Sequence, residues 1–316
     1  MSNIIMILAW AGVLLWPLAI VFGMWRGVKT GRGPGPVAWA AIFLVTTMWG
    51  LGIRAFLVEP EGLVVRRVEV VSQAWSGAPL RVGVITDIHG GGPHMSVGRL
   101  ERIIDEMNGE RPDIVLLLGD FVAGHEPSQA RSAGENAAVM ETLPPLAKLR
   151  APLGVWSVLG NHDWWYDGAA VEAGLQAQGV KVLENARARI ERPGGAFWLA
   201  GLADYESTRA QPSYGAALNG IEGDDPVIAM SHWPDAFATA PDRVAMTFAG
   251  HTHCGQVNLP FFGRLLHASP GSEMWPCGLY TDAGRKLYVS GGVGVSIMPV
   301  RFNQPPEIAV VTVRAD

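Results

Sequence analysis

The chain has 316 residues, 49% of them hydrophobic, and a formal net charge of -5. That length buries a large core without crosslinks, and the acidic balance argues against a nucleic-acid partner, since phosphate backbones are bound by basic surfaces. A small anionic substrate stays compatible with it if metal ions supply positive charge inside a site.

Residues 1–59 read as a membrane anchor and 60–316 as one domain. Segment 4–24 has no charged residue and is long enough to cross a bilayer as a helix, with a kink at Pro17. Segment 37–58 is a second apolar run, interrupted by Arg54 near its end, where a guanidinium can reach the interface. Trp10, Trp16, Trp25, Trp39 and Trp49 add aromatic weight, and those near the ends suit interface belts. No basic residue precedes the first run, which argues against a cleaved leader. The basic, turn-rich stretch 26–36 between the runs belongs in the cytoplasm by the positive-inside rule. The expectation is a multi-pass protein of the plasma (inner) membrane with its large domain on the periplasmic or extracytoplasmic side. Arg54, Arg66 and Arg67 fall on that far side and count against the orientation.

Beyond the anchor the pattern is mixed α/β. Residues 63–71 and 80–86 read as strands, 96–108 as a helix capped by Ser96, and 113–118 as a buried strand. A loop and helix run to about 149, followed by a strand at 154–159 and a helix at 169–178. Short strands follow at 180–184, 188–192 and 197–202, whereas 208–225 gives no clear pattern. Strands at 227–231, 244–249, 256–259, 286–290 and 308–313 complete the chain. Alternating strands and helices indicate βαβ units and a largely parallel sheet. Cys254 and Cys277 can bridge in an oxidising compartment, but two unlinked small residues are the favoured reading.

Five apolar runs end in metal-binding chemistry. They lead into Asp87-Ile88-His89, Gly119-Asp120, Gly160-Asn161-His162-Asp163, Ser231-His232 and Gly250-His251-Thr252-His253. Ligands of α/β sheets bind at the carboxyl ends of strands, so paired strands would gather these side chains at one cavity. Oxygen and nitrogen donors without thiolate suit Mn, Fe or Zn. Asp-x-His or Gly-Asp alone is a common turn; Gly-Asn-His-Asp and Gly-His-Thr-His are firmer, and the ordered set of five is specific. Trp164-Trp165-Tyr166 suits an apolar wall by the ions or the core equally. His94, His125 and His267 read as loop histidines, Asp204 as a turn, and Ser231 and Thr252 as partners of backbone rather than nucleophiles.

The ordered set resembles the calcineurin-like metallophosphoesterases, over about residues 80–313, and is similar to a bacterial membrane-associated or exported branch. Gly250 to Val257 with Leu259-Pro260, Gly278-Leu279-Tyr280, Arg301-Phe302 and Pro305-Pro306-Glu307-Ile308 carry the second likeness. The resemblance implies a four-layer α-β-β-α sandwich after two transmembrane helices, with two divalent or mixed-valence metal ions at one edge. Carried over by position, one ion takes Asp87, His89 and His253, the other Asn161, His232 and His251, and Asp120 bridges. His162 would stabilise the transition state or protonate the leaving oxygen, with Asp163 holding its ring. A metal-bridging hydroxide would attack phosphorus in line with the departing alkoxide of a phosphodiester, phosphomonoester or pyrophosphate. The anchor makes a lipid-linked substrate as compatible as a soluble one. The triglycine Gly90-Gly91-Gly92 departs from the expected pattern and leaves the path of that loop open. A catalytically silent scaffold of the same fold is the alternative, and completeness of the ligand set speaks against it.

Overall fold

The computed structural model describes residues 2–31, 34–264 and 266–316, with the side chains of 2–10, 13, 14, 28 and 30 excepted. Arg32 and Gly33 of the basic stretch therefore lie outside the described residues, and of the first expected span the backbone is described but not the side chains of residues 4–10, 13 and 14. Helix α1 (Ser2–Thr30) contains Pro17, and α2 (Pro36–Ile53) has no buried residue. Trp49 Nε1 donates to the Gly12 carbonyl at 2.9 Å and Trp16 Nε1 to Thr46 Oγ1 at 3.3 Å, which pairs the two helices through their indole N–H groups. Among the described residues, one helical stretch is long and apolar enough to cross a membrane, Pro36–Glu61. It passes through a π-turn at Arg54–Val58 and runs directly into the domain.

In the domain, β1 (Val64–Val71) and β2 (Leu80–Ile85) precede α3 (Val97–Gly109), whose Ser96 cap accepts from the Arg99 N–H. Then come β3 (Ile114–Leu117), α4 (Ala133–Met140), β4 (Val155–Ser157) and α5 (Asn161–Gln176). Next are β5 (Lys181–Val182), β6 (Ala186–Ile190), β7 (Phe197–Gly201), β8 (Val227–Met230) and β9 (Val244–Ala249). A small hairpin, β10 (Asn258–Leu259) and β11 (Gly263–Arg264), leads to β12 (Gly278–Asp282), β13 (Arg285–Val289) and β14 (Glu307–Arg314).

These strands form two six-stranded sheets, ordered β1-β14-β2-β3-β4-β5 and β12-β13-β9-β8-β7-β6. The centres are parallel, but β14 runs antiparallel to β2, and β12 and β6 are antiparallel edges. The single largely parallel sheet of the strand–helix rhythm is thus two mixed sheets. A local pattern does not say which strands share a sheet. Leu80, Val82, Val84, Ile114 and Leu116 face Phe197, Leu199, Ile228, Met246 and Phe248 in the layer between the sheets. The alternate residues Val115 and Leu117 pack under α3 and α5 with Leu100, Ile104, Met107 and Leu175. Outside the second sheet the cover is thin, built from short helical turns that carry Tyr214 and Phe237. The result is a mixed α/β sandwich with one heavy and one light helical layer.

Helix α5 begins at Asn161, not near 169. Asp163 supplies the cap, accepting from the Gly160 N–H at 2.9 Å, so Asn161-His162-Asp163 form a first helical turn rather than a loop. A non-helical Asp167 separates this turn from the stretch whose periodicity is visible in the sequence.

Candidate metal centre

The five motifs converge at the carboxyl ends of β2, β3, β4, β8 and β9, so both sheets contribute. Asp87, His89, Asp120, Asn161, His162, Asp163, His232, His251 and His253 are all at most 8% exposed. The backbone is held in the left-handed region at Asp87, His89, Asp120, His251 and His253, with φ between 49° and 68°. Such positions cost about 1 kcal/mol or more each for non-glycine residues and persist where the surroundings impose them. Two glycines allow the crowding. A Cβ at Gly160 would meet Asp120 Oδ1 at 2.3 Å, and one at Gly250 would meet Thr86 Oγ1 at 2.2 Å.

Asp120 lies in the middle. Its Oδ2 is 3.3 Å from His232 Nε2, 3.6 Å from His89 Nε2 and 3.9 Å from His162 Nε2. On one side, His89 Nε2 and His253 Nε2 are 3.0 Å apart, and His253 Nε2 is 3.4 Å from Asp87 Oδ1. On the other, His232 Nε2 lies 3.1 Å from Asn161 Oδ1 and 3.3 Å from His251 Nδ1. Asp87-His89-His253 and Asp120-His232-His251 each bring their donor atoms close enough to hold one ion.

Hydrogen bonds fix the ring tautomers. His232 Nδ1 faces the Leu118 carbonyl at 2.6 Å and His162 Nδ1 the Gly124 carbonyl at 2.8 Å. A carbonyl only accepts, so both Nδ1 atoms carry a proton and both Nε2 atoms are turned towards Asp120. Burial, with His162 beside it, pushes His89 down to about 3. Burial and neighbouring rings hold His251 and His253 well below the usual imidazole range, so these rings are neutral, as ligation requires. Burial raises Asp87 to about 7. Burial alone would also raise Asp120, but His232 and His162 keep it well below the usual carboxylate range. His232 resists charge by burial yet is driven up to about 10 by Asp120, Asp87 and Asp204. The cluster is therefore short of positive charge, and the buried Asp87 Oδ1 has no hydrogen-bond partner. Cations among these oxygen and nitrogen donors would answer both deficits, so the residues present fit metal ions.

Other expectations are placed differently. Asp163 does not hold the His162 ring. Its carboxylate accepts from the N–H groups of Gly160, Asp120, Phe121 and Val122 at 2.8–3.2 Å, clamping the Asp120 loop, because the first turn of α5 points it there. The Gly124 carbonyl takes the role foreseen for it. His125 and Trp165, at 4.8 Å centroid distances, pack on His162. His94 is tied to Glu61 at 2.7 Å and serves the fold. Ser231 and Thr252 bond the Trp233 and Pro276 carbonyls, as expected of backbone partners. Asp204 is more than a turn residue: it is buried, and burial raises it to about 7.

Cys254 and Cys277, read as unlinked, form a disulfide. The left-handed backbone at His253 and Cys254 turns the loop back towards β12, bringing the two Cα atoms to 4.9 Å. Sequence reasoning also missed Arg301, which is fully buried. Its guanidinium donates to the carbonyls of Gly291, Gly292, Gly294 and Gln304 and reaches His253 Nδ1 at 3.3 Å. Gly294 in turn donates to the Asp87 carbonyl at 2.7 Å, so Arg301 braces the loop under the first group of donors. No local pattern marks it; Arg301-Phe302 stood out only through the family likeness.

A mixed α/β sandwich with buried Asp and His donors where strands from both sheets end defines a metal-dependent class of phosphoesterase fold. The model of the calcineurin-like phosphoesterase family matches residues 80–255, and the chain belongs to that family. It is 31% identical over 219 residues to the metallophosphoesterase YkuE of Bacillus subtilis, covering 68% of this chain and 73% of that one. It is 31% identical over 263 residues to a zebrafish (Danio rerio) transmembrane protein with metallophosphoesterase domain, where the match covers 78% of this chain but 55% of that protein. The NAD nucleotidase of Haemophilus influenzae shows a loose likeness, with 14% identity, coverage of 70% of this chain and 46% of that one, and a TM-score of 0.44.

Proposed function

We propose that this chain is a membrane-anchored hydrolase of phosphodiesters, phosphomonoesters or pyrophosphates that uses two metal ions, of Mn, Fe or Zn. The observation that carries this is Asp120, whose carboxylate lies among His89, His162 and His232 between two donor groups. Asp87, His89 and His253 would hold one ion, Asn161, His232 and His251 the other, with Asp120 shared. Bound there, the ions would acidify a water molecule and neutralise phosphoryl oxygens. The chain's own part is positional. Gly124 and Leu118 orient the His162 and His232 rings, and Asp163 clamps the Asp120 backbone. With its Nδ1–H held by the Gly124 carbonyl, His162 turns Nε2 towards Asp120; protonated there, it donates to the departing oxygen as the P–O bond breaks. Burial outweighs Asp120 and the Gly124 carbonyl and holds His162 below the usual imidazole range, which favours release of that proton.

Two spans with the domain outside the cytoplasm complete the reading. α2 supplies the exposed apolar helix, α1 pairs with it, and the Cys254–Cys277 bridge suits an oxidising compartment. The test is metal content and hydrolysis of bis(p-nitrophenyl) phosphate by the full chain and by Asp120→Ala. The expectation is two ions per chain in the parent, with a loss of activity of about a thousandfold or more in the variant. Undiminished turnover after complete removal of metal would sink the reading.

A further inference from the structure

The exit of α2 and the mouth of the metal cluster are joined by a short path of contacts. Arg54, the residue after α2, donates to Asn303 Oδ1 at 2.7 Å, and Asn303 donates to the Asn258 carbonyl at 2.9 Å. The Ala55 carbonyl accepts from the Arg301 N–H at 2.9 Å, and Ala55 and Phe56 pack with Val300, Phe302, Val257 and Leu259. Phe302 bonds the Gln256 carbonyl, the Gln256 side chain holds both the N–H and the carbonyl of Ser296, and Ser296 Oγ lies 3.3 Å from His162 Nε2.

Two loops on this path break the usual rule for apolar side chains. Phe261 is fully exposed and Phe262 is 77% exposed at the tip of the β10–β11 hairpin, while Ile297 beside Ser296 is 79% exposed. Phe261 and Ile297 also have left-handed backbone, with φ of 70° and 62°, where glycine or asparagine would be cheaper. Bulky side chains held in strained backbone and turned to the outside add nothing to the core. Their level relative to a bilayer follows from α2. Its 18 residues rise about 27 Å, close to the thickness of the hydrocarbon layer, so Arg54 emerges at the interface. Leu259 packs in the cluster with Phe56, and two further residues extend at most about 7 Å, so the hairpin tip reaches the headgroup region or the acyl boundary.

We propose that Phe261, Phe262 and Ile297 insert into the leaflet from which α2 emerges and hold the mouth of the metal cluster against it. The substrate class is then a phosphate ester carried by a membrane lipid, presented to His162 from the headgroup layer. This inference rests on the anchored-hydrolase reading, and the experiment separates the two. Each cysteine is committed to the disulfide, so Phe262→Cys in the full chain provides a single thiol for a nitroxide label. Glu222→Cys, exposed in the loop before β8 at the other end of the sandwich, is the control. In phosphatidylcholine–phosphatidylglycerol vesicles, the label at 262 is expected to be accessible to oxygen and shielded from a water-soluble nickel chelate, and the label at 222 the reverse. The same vesicles are assayed with methyl p-nitrophenyl phosphate in solution and hexadecyl p-nitrophenyl phosphate in the bilayer, which share the reacting bond. Phe261→Ser/Phe262→Ser is expected to lower turnover of the bilayer ester about tenfold and leave the soluble ester unchanged. A label at 262 exposed to water, spin–spin broadening from a second copy, or equal loss on both esters overturns the proposal. Failure to hydrolyse either ester, p-nitrophenyl phosphate or a pyrophosphate with Mn, Fe or Zn strikes the hydrolase reading instead, while the label still decides the docking.

Discussion

The metal cluster and the face at the exit of α2 depart from the same rule in opposite directions. In the cluster, three carboxylates and five imidazoles are buried almost completely, with their donor atoms crowded around Asp120. On the exit face, phenylalanines and an isoleucine stand in the open. Both regions also hold non-glycine residues in left-handed backbone. A folded chain normally does neither at this density, because buried charge needs a partner and exposed apolar surface is seldom concentrated. The difference teaches what each region is waiting for: cations in the first, an apolar phase in the second. They are joined through Gln256 and Ser296, so a single loop system serves both.

The comparison can be broken most sharply at His162. His162→Ala should lower kcat by about a hundredfold to ten-thousandfold on an alkyl phosphodiester, whose leaving oxygen needs a proton. It should have far less effect on a p-nitrophenyl ester, and metal content should stay that of the parent. Equal losses on the two leaving groups would make His162 a structural residue of the cluster and remove its role as proton donor.

A smaller effect tests the crowding itself. Gly160→Ala places a methyl group against Asp120 and the His232 ring, neither of which is free to move. Overpacking of this kind costs typically about 1–3 kcal/mol. The expected result is a lower midpoint in urea together with reduced metal content, and an unchanged midpoint would mean that the cluster is looser than its contacts indicate.

The smallest effect concerns the charge balance. Burial raises Asp204 to about 7 from the value near 4 of an unfolded chain, so the native state retains a proton that the unfolded state gives up. Stability from this group is therefore full below about pH 4 and declines as pH rises towards 7. In metal-stripped protein, Asp204→Asn should raise the melting temperature at pH 8 and leave it unchanged near pH 4. A gain of the same size at both values would assign the effect to packing instead.

Much of the centre was legible beforehand because its chemistry is local. A strand ending in Asp-x-His, Gly-Asn-His-Asp or Gly-His-Thr-His states its donors within a few residues, and all seven proposed ligands do meet. Asp163 shows the limit of such reading. Adjacency to His162 in sequence suggests a partner for that ring, yet the first turn of α5 directs Asp163 to the backbone of a loop some forty residues earlier. Arg301 shows the limit from the other side, since its place in the Arg301-Phe302 likeness says nothing of its burial or its contact with His253.

What the sequence alone determined was the inventory: apolar segments long enough for helices, strands of period two, and the donors that follow them. Those properties depend on side-chain type and short spacing, which the chain carries wherever it goes. Only the tertiary structure decided the pairing of strands into two sheets, the union of Cys254 with Cys277, the brace of Arg301 and the nearness of the α2 exit to the mouth of the centre. Each of these joins residues far apart in the chain, and such contacts are fixed by how whole layers pack rather than by any local preference.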